Sequence, residues 1–560
     1  MISVETALAD GAADVAAAVA AWRAKFPKLW AKDKSLWTGA DEDKWLGWLD
    51  IVAREERDLP SLLAFADEVK RDGWRDVVLI GMGGSSLGSE VLAQCFGHQT
   101  GAPNFYALDS TSPDQIDTLE AKLDLKRTIF IVASKSGSTL EPNILKDHFH
   151  ARMTDAGVEA GRHFVAITDP GSSMEKEAKE KGYAHIFYGE PTIGGRYSVL
   201  SRFGLVPAAA MGLDVARLLK SASEIVARCK SDDIANNPGA MLGLSLGVLA
   251  TKHGRDKITI SASPKLVSVG GWLEQLIAES TGKIGKGLIP VDREPLADPS
   301  LYGKDRIFIH KSLSGESEPP ALAALEKAGQ PVIRITLQDV YEMGQLFFMS
   351  EIAVAVAGAV LGINPFDQPD VEASKVKSRD LAKQYEQSGK LPTGEPLRRF
   401  DGISLYADAK NAKTVAACNT LADCLKAHFG QAKPGDYIGL LAFIEQSKAH
   451  FEPLQTMRTQ LRDKLKVATC AEFGPRFLHS TGQAYKGGPN SGIFLTLTAE
   501  PKRDVKLATG KMSFGVVQQA QALGDFEVLN ERGRRAIRLH FDDVERGLAD
   551  LGKALNAALA

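Results

Sequence analysis

The stretch VVLIGMGGSSLGSE, residues 77–90, decides the fold class. It opens with a short apolar run ending in a glycine, which reads as a buried strand. The glycines and serines after it lead into a helix-length segment. The pattern returns at NFYALD (104–109), TIFIVAS (128–134) and HFVAITD (163–169), with helix-length segments between. Short buried strands alternating with helices predict a parallel sheet covered on both faces.

Residues 201–254 read as helical, and a second alternating unit follows. Its strands are KITISAS (257–263), RIFIHKSL (306–313) and PVIRITL (331–337), with helices near 266–280, 319–328 and 341–361. Before the first unit, residues 1–70 read as helices. They carry Trp22, Trp30, Trp37, Trp45 and Trp48, a cluster expected to cap a core. A polar stretch from Ser374 to Thr393 leads into a third region, with strands at 435–444, 491–498 and 536–541 and a last helix from Val544. The expected fold is therefore α/β. Two doubly wound parallel-sheet domains stand in tandem, at 71–250 and 251–375, and a mixed α/β region occupies 376–560.

A chain of 560 residues exceeds one hydrophobic core. A formal net charge of -3 gives no basic surplus to attract nucleic acid or an anionic membrane. Five cysteines (Cys95, Cys229, Cys418, Cys424 and Cys470) at irregular spacing argue for a reducing compartment and against structural zinc. The N-terminus carries Glu5, Asp10 and Asp14 with no basic start, and the longest apolar stretch, Ile352 to Ile363, is too short to cross a bilayer. The expected location is the cytoplasm. No His/Asp/Glu cluster has metal-ligand spacing and no Walker A pattern is present, so neither a metal nor another cofactor is expected.

Ligands of parallel sheets bind at the carboxyl ends of strands. The loop GMGGSSLGSE (81–90) brings Gly84 and Ser85 there, before a helix that exposes free N–H groups suited to a phosphate. Two other readings stand beside this one. The loop could be a turn with a helix cap, or a dinucleotide fingerprint half-matched by Gly81, Gly83 and Ser86. The loop SKSGSTLEP (134–142) sets Ser134, Ser136, Ser138 and Thr139 around Lys135, again before a helix. Four hydroxyls exceed what capping needs and suit a monophosphate cradle.

This serine-rich loop resembles the sugar isomerase domain, a phosphosugar-binding module. Three further stretches resemble the signatures of glucose-6-phosphate isomerases: GGRYSVLS (194–201), QLIAESTGKIGKGLIPV (275–291) and FDQPDVEASK (366–375). The resemblance spans about 70–380. The stretch HSTGQAYKGGPNSG (479–492) is similar to the isomerase half of transaldolase–isomerase fusions. The resemblance implies isomerisation of glucose 6-phosphate and fructose 6-phosphate in a cytoplasmic homodimer. Glu279 falls on the catalytic glutamate and Arg196 on the arginine of the first signature. Gln275 opens the second stretch, and Gln368 and Lys375 fall on the third.

These residue types fit the chemistry. A carboxylate can carry a proton between C2 and C1 through an enediolate, which assigns Glu279 as base and then acid. A permanent charge at Arg196 stabilises the oxyanion, and Lys375 suits ring opening. The family's Gly-Gln-His-Ala-Phe histidine falls here on Leu346, in GQLFF (344–348), which cannot transfer protons. His479 is the best substitute, ahead of Tyr485 and Lys486. In the family this histidine reaches across from the neighbouring subunit. Two alternatives stay open: an isomerase acting on mannose 6-phosphate or on both sugars, and a phosphosugar sensor. A sensor would need neither Glu279 nor Lys375, and no basic helix-turn-helix is visible.

Overall fold

A computed structural model describes residues 1–560. The chain opens with strand β1 (Ser3–Ala7), where helix was expected. Its five residues are too few and too polar to stand out in the sequence. They pair antiparallel with a strand more than three hundred residues away and close a sheet edge.

The first sheet holds β2 (Asp76–Ile80), β3 (Asn104–Leu108), β4 (Thr128–Ala133), β5 (Phe164–Thr168) and β6 (His185–Tyr188), all parallel, in the order β3-β2-β4-β5-β6. Every residue of β2 and β4 is buried, which is why both read as unbroken apolar runs. The second sheet holds β7 (Lys257–Ala262), β8 (Ile289–Asp292), β9 (Arg306–Leu313) and β10 (Val332–Leu337), in the order β1-β10-β9-β7-β8 with β1 alone antiparallel. The third holds β11 (Arg398–Phe400), β12 (Ile403–Tyr406), β13 (Tyr437–Phe443), β14 (Ala468–Phe473), β15 (Gly492–Ala499) and β16 (Arg535–Phe541). It is ordered β11-β12-β16-β15-β13-β14, parallel from β16 to β14. The doubly wound reading holds for the first two units, and the third is mixed as expected.

The first two sheets share one continuous core; one face of the third has its own, and its other face packs with β8 and helix Val269–Thr281. Helix Met343–Leu361 runs through the shared core. It is long and apolar enough to cross a membrane, yet 89% of its apolar window is buried inside the fold. Leu346 is fully buried there. Of the tryptophans, Trp48 stacks on Tyr197 at 5.2 Å, Trp37 donates to the Ala355 carbonyl at 2.8 Å, and Trp45 lines a cavity. All five cysteines are free.

The polar stretch from Ser374 is no linker. Most of it belongs to helix Pro369–Ser388, which buries Asp370, Val371, Ser374, Ser378 and Leu381. Its solvent face outnumbers these five, so it reads as a polar stretch. It packs on helix Phe514–Glu531, where a Cβ on Gly524 would lie 2.8 Å from Ser378 Oγ. Gly524→Val should therefore cost about 1–3 kcal/mol by overpacking. The expected reading is a lower urea midpoint, and an unchanged midpoint would mean that these helices do not meet as described.

Candidate active site

The site forms where four backbone segments cross. Gly83 takes φ +53°, and a Cβ there would lie 2.7 Å from Gln275 Nε2 and 2.8 Å from the His479 carbonyl. A Cβ on Gly84 would come within 1.9 Å of the Gly195 carbonyl. Two glycine loops thus press backbone on backbone, which explains their composition without a dinucleotide. Gly84 serves this crossing, and Ser85 beside it faces the cavity.

The loop after β4 supplies the second wall. Thr139 is the N-cap of helix Leu140–Asp155 but makes no side-chain cap bond. Ser136 and Ser138 share a hydrogen bond at 2.9 Å. Ser134 is 2% exposed and its hydroxyl has no partner in the chain. The hydroxyls are therefore not consumed in capping, and the helix N-terminus adds free N–H groups and a positive dipole end. Lys135 is less free: it pairs with Asp169 and donates to the Pro191 carbonyl at 3.0 Å.

Arg196 is buried, and its guanidinium is held on every side. Nε donates to Ser280 Oγ at 2.8 Å, Nη1 to Gln368 Oε1 at 2.9 Å, and Nη2 to the Pro365 and Asp367 carbonyls at 2.8 and 2.9 Å. Nη1 also faces Glu279 Oε1 at 3.3 Å. Glu279, on helix Val269–Thr281, accepts from Gln275 Nε2 at 3.0 Å through its other oxygen. One turn of helix separates Gln275 from Glu279, so both side chains share a face.

The third domain supplies the last wall. Arg476 binds Glu90 at 2.8 Å and Asp109 at 2.9 Å, tying the turn after β14 to the first domain. Three residues on, His479 Nε2 meets Glu141 Oε1 at 2.9 Å. Burial works to raise the Glu141 carboxyl, but the charge and hydrogen bond of His479, with help from Lys375, hold it below the usual range. Gln521 Nε2 donates to the same Glu141 oxygen at 2.6 Å, and Thr111 donates to Gln521 at 2.7 Å.

Together these walls enclose a cavity of about 610 Å³ lined by Ser85, Ser134, Lys135, Ser136, Thr139, Gln368, Lys375 and His479. Arg196, Glu279, Gln275 and Gly84 stand one layer behind, with Glu279 keeping 10% side-chain exposure. Tyr485 is bonded to Glu472 and Lys486 to Asp525, both outside the cavity. Sequence reasoning missed Glu141, although it sits inside the quoted loop at 134–142. It also missed Gln521, which lies mid-helix with no local signal. The arrangement offers a hydroxyl-lined anion site at one end, a carboxylate beside a fixed cation, and a histidine oriented by a buried acid.

The family model described as phosphoglucose isomerase matches residues 68–289. A protein named "Probable glucose-6-phosphate isomerase" from Methanococcus maripaludis is 30% identical over 342 residues, covering 54% of this chain and 77% of that one. The glucose-6-phosphate isomerase of Methanocaldococcus jannaschii is 29% identical over 375 residues, covering 60% and 90%. Among solved structures, a hypothetical protein from Thermus thermophilus aligns with TM-score 0.59 at 25% identity, over 68% of this chain and 99% of that one. A glucose-6-phosphate isomerase from Chlamydia trachomatis shares the fold at TM-score 0.53 and 22% identity, over 60% and 74%.

The glycine crossing yields a direct test. Gly84→Ala must push the 83–85 and 194–196 turns apart. Turnover should fall at least ~10-fold, since misplacement by about 1 Å can cost ~100-fold, while the far-UV spectrum stays unchanged. Unaltered turnover would remove this crossing from the site.

Proposed function

The chain belongs to the glucose-6-phosphate isomerase family and interconverts glucose 6-phosphate and fructose 6-phosphate, and we propose the route by which its own residues do so. The phosphate sits among Ser134, Ser136 and Thr139 at the N-terminus of helix Leu140–Asp155, with Ser85 opposite. This end of the substrate does not change, so these contacts bind ground and transition states alike.

His479 and Lys375 open the ring. Glu141 occupies His479 Nε2, so Nδ1 is the nitrogen that exchanges a proton with the sugar. Glu279 then takes the proton from C2. The electron pair left behind forms the C1–C2 double bond, and the carbonyl oxygen takes up negative charge. That charge is met by Arg196, whose guanidinium is already locked and need not reorganise. Glu279 returns the proton to C1 while the C2 hydroxyl passes its proton to the C1 oxyanion, leaving a C1 hydroxyl and the C2 carbonyl of the ketose.

The observation that carries this reading is the Arg196–Glu279 pair, 3.3 Å apart, with the arginine pinned by four other acceptors. A base beside a fixed cation suits deprotonation next to a carbonyl. The resemblance implied sites shared between the subunits of a homodimer. Here His479 reaches the cavity of its own chain, so we assign the third domain to catalysis in its own subunit.

Glu279→Gln keeps size and hydrogen bonding but removes the base. Turnover should fall by ~10²–10⁴-fold, with little change in KM for fructose 6-phosphate. In deuterated water the wild type should place deuterium at C2 of recovered glucose 6-phosphate. A wild type without label, or a variant keeping a tenth of its turnover, would contradict the route through Glu279.

A further inference from the structure

The turn Lys283–Lys286 lies outside the machinery just described, yet both of its lysines reach one neighbouring segment. Lys286 Nζ donates to the Leu361 carbonyl at 2.8 Å, at the end of helix Met343–Leu361. Lys283 Nζ donates to the Asn364 carbonyl at 2.5 Å and pairs with Asp367 Oδ1 at 2.7 Å. The Lys283 side chain is 4% exposed. Burial, and then the nearby Arg196 charge, push its pKa down to about 7 against the pull of Asp367 and Glu279. A lysine nitrogen buried at that cost is no solvated surface group.

The segment it grips is the one that holds Arg196. The Pro365 and Asp367 carbonyls and the Gln368 amide accept three of the guanidinium bonds. From the far side, Gln483 Oε1 accepts the backbone N–H groups of Asp370 and Val371 at 2.9 and 3.1 Å, closing the other end of the loop. Arg196 and Lys283 thus grip the same few residues.

We infer that Lys283 is a positioning residue for Arg196: by holding Asn364 and Asp367 it sets the loop that aims the guanidinium at the developing oxyanion. The inference rests on the assignment of Arg196 to that oxyanion. Loss of Lys283 should leave phosphate binding intact and damage only the interaction that strengthens in the transition state.

The test uses the full chain and two inhibitors. One is the hydroxamate of a five-carbon aldonic acid phosphate, which mimics the enediolate. The other is a hexitol 6-phosphate, which carries the phosphate and hydroxyls but no oxyanion. Wild type should bind the hydroxamate more tightly. In Lys283→Met that preference should shrink ~10-fold and turnover fall ~10–100-fold, with KM within about threefold. Lys283→Arg, which keeps the charge, should recover part of both. If Lys283→Met does not fold, Asp367→Asn breaks the same ion pair while keeping the main chain, and should shrink the preference likewise. A preference unchanged in a folded variant, or both inhibitors weakened equally, overturns the inference. A wild type with no preference for the hydroxamate overturns the oxyanion role of Arg196 itself.

Discussion

The Gln275 amide nitrogen donates at once to the Glu279 carboxylate, at 3.0 Å, and to the His479 carbonyl, at 2.9 Å. The first bond lies within the second domain, and the second crosses to the third. Gly83 leaves room for the same nitrogen: a Cβ there would lie 2.7 Å from it. The assigned base and the assigned ring-opening histidine are therefore held in one frame by one side chain. Any shift of the third domain would move the histidine and loosen the base together.

The electrostatics follow the same logic. The net charge of -3 gives no general attraction for a phosphosugar, so the site relies on local groups. Four of the five N–H donors of Arg196 are bonded to other acceptors, and one on Nη1, beside Glu279, stays free; in the proposed route this fixes its direction and removes reorganisation from the reaction. Lys135, tied to Asp169 and to the Pro191 carbonyl, must share its charge between that carboxylate and a phosphate. In the proposed route the serine hydroxyls and the helix N-terminus then hold most of the anion.

Much of this was legible in the sequence. The strands buried on both faces announced themselves because each is an unbroken apolar run. The strands that escaped were short or polar: β1, β6, β8, β11, β12 and β14. Helix Pro369–Ser388 escaped because five buried positions were diluted by its solvent face. The resemblance pointed to Arg196, Glu279, Gln368 and Lys375, which lie close together at the cavity. The gap at Leu346 pointed to His479, and its contact with Glu141 is visible only in the geometry. The pairing of His479 with Glu141 spans 338 residues, and no local pattern encodes a contact that depends on docking a separate core.

The account stands or falls on whether the third domain completes the site of its own chain. Co-expression of Glu279→Gln and His479→Ala, purified together and assayed with fructose 6-phosphate, decides it. If each chain uses its own His479, both variants are impaired wherever they sit, and mixing restores nothing. If a partner supplies the histidine, half of the mixed pairs' sites are intact, and activity returns to about a quarter of wild type. Recovery to that level would contradict the account.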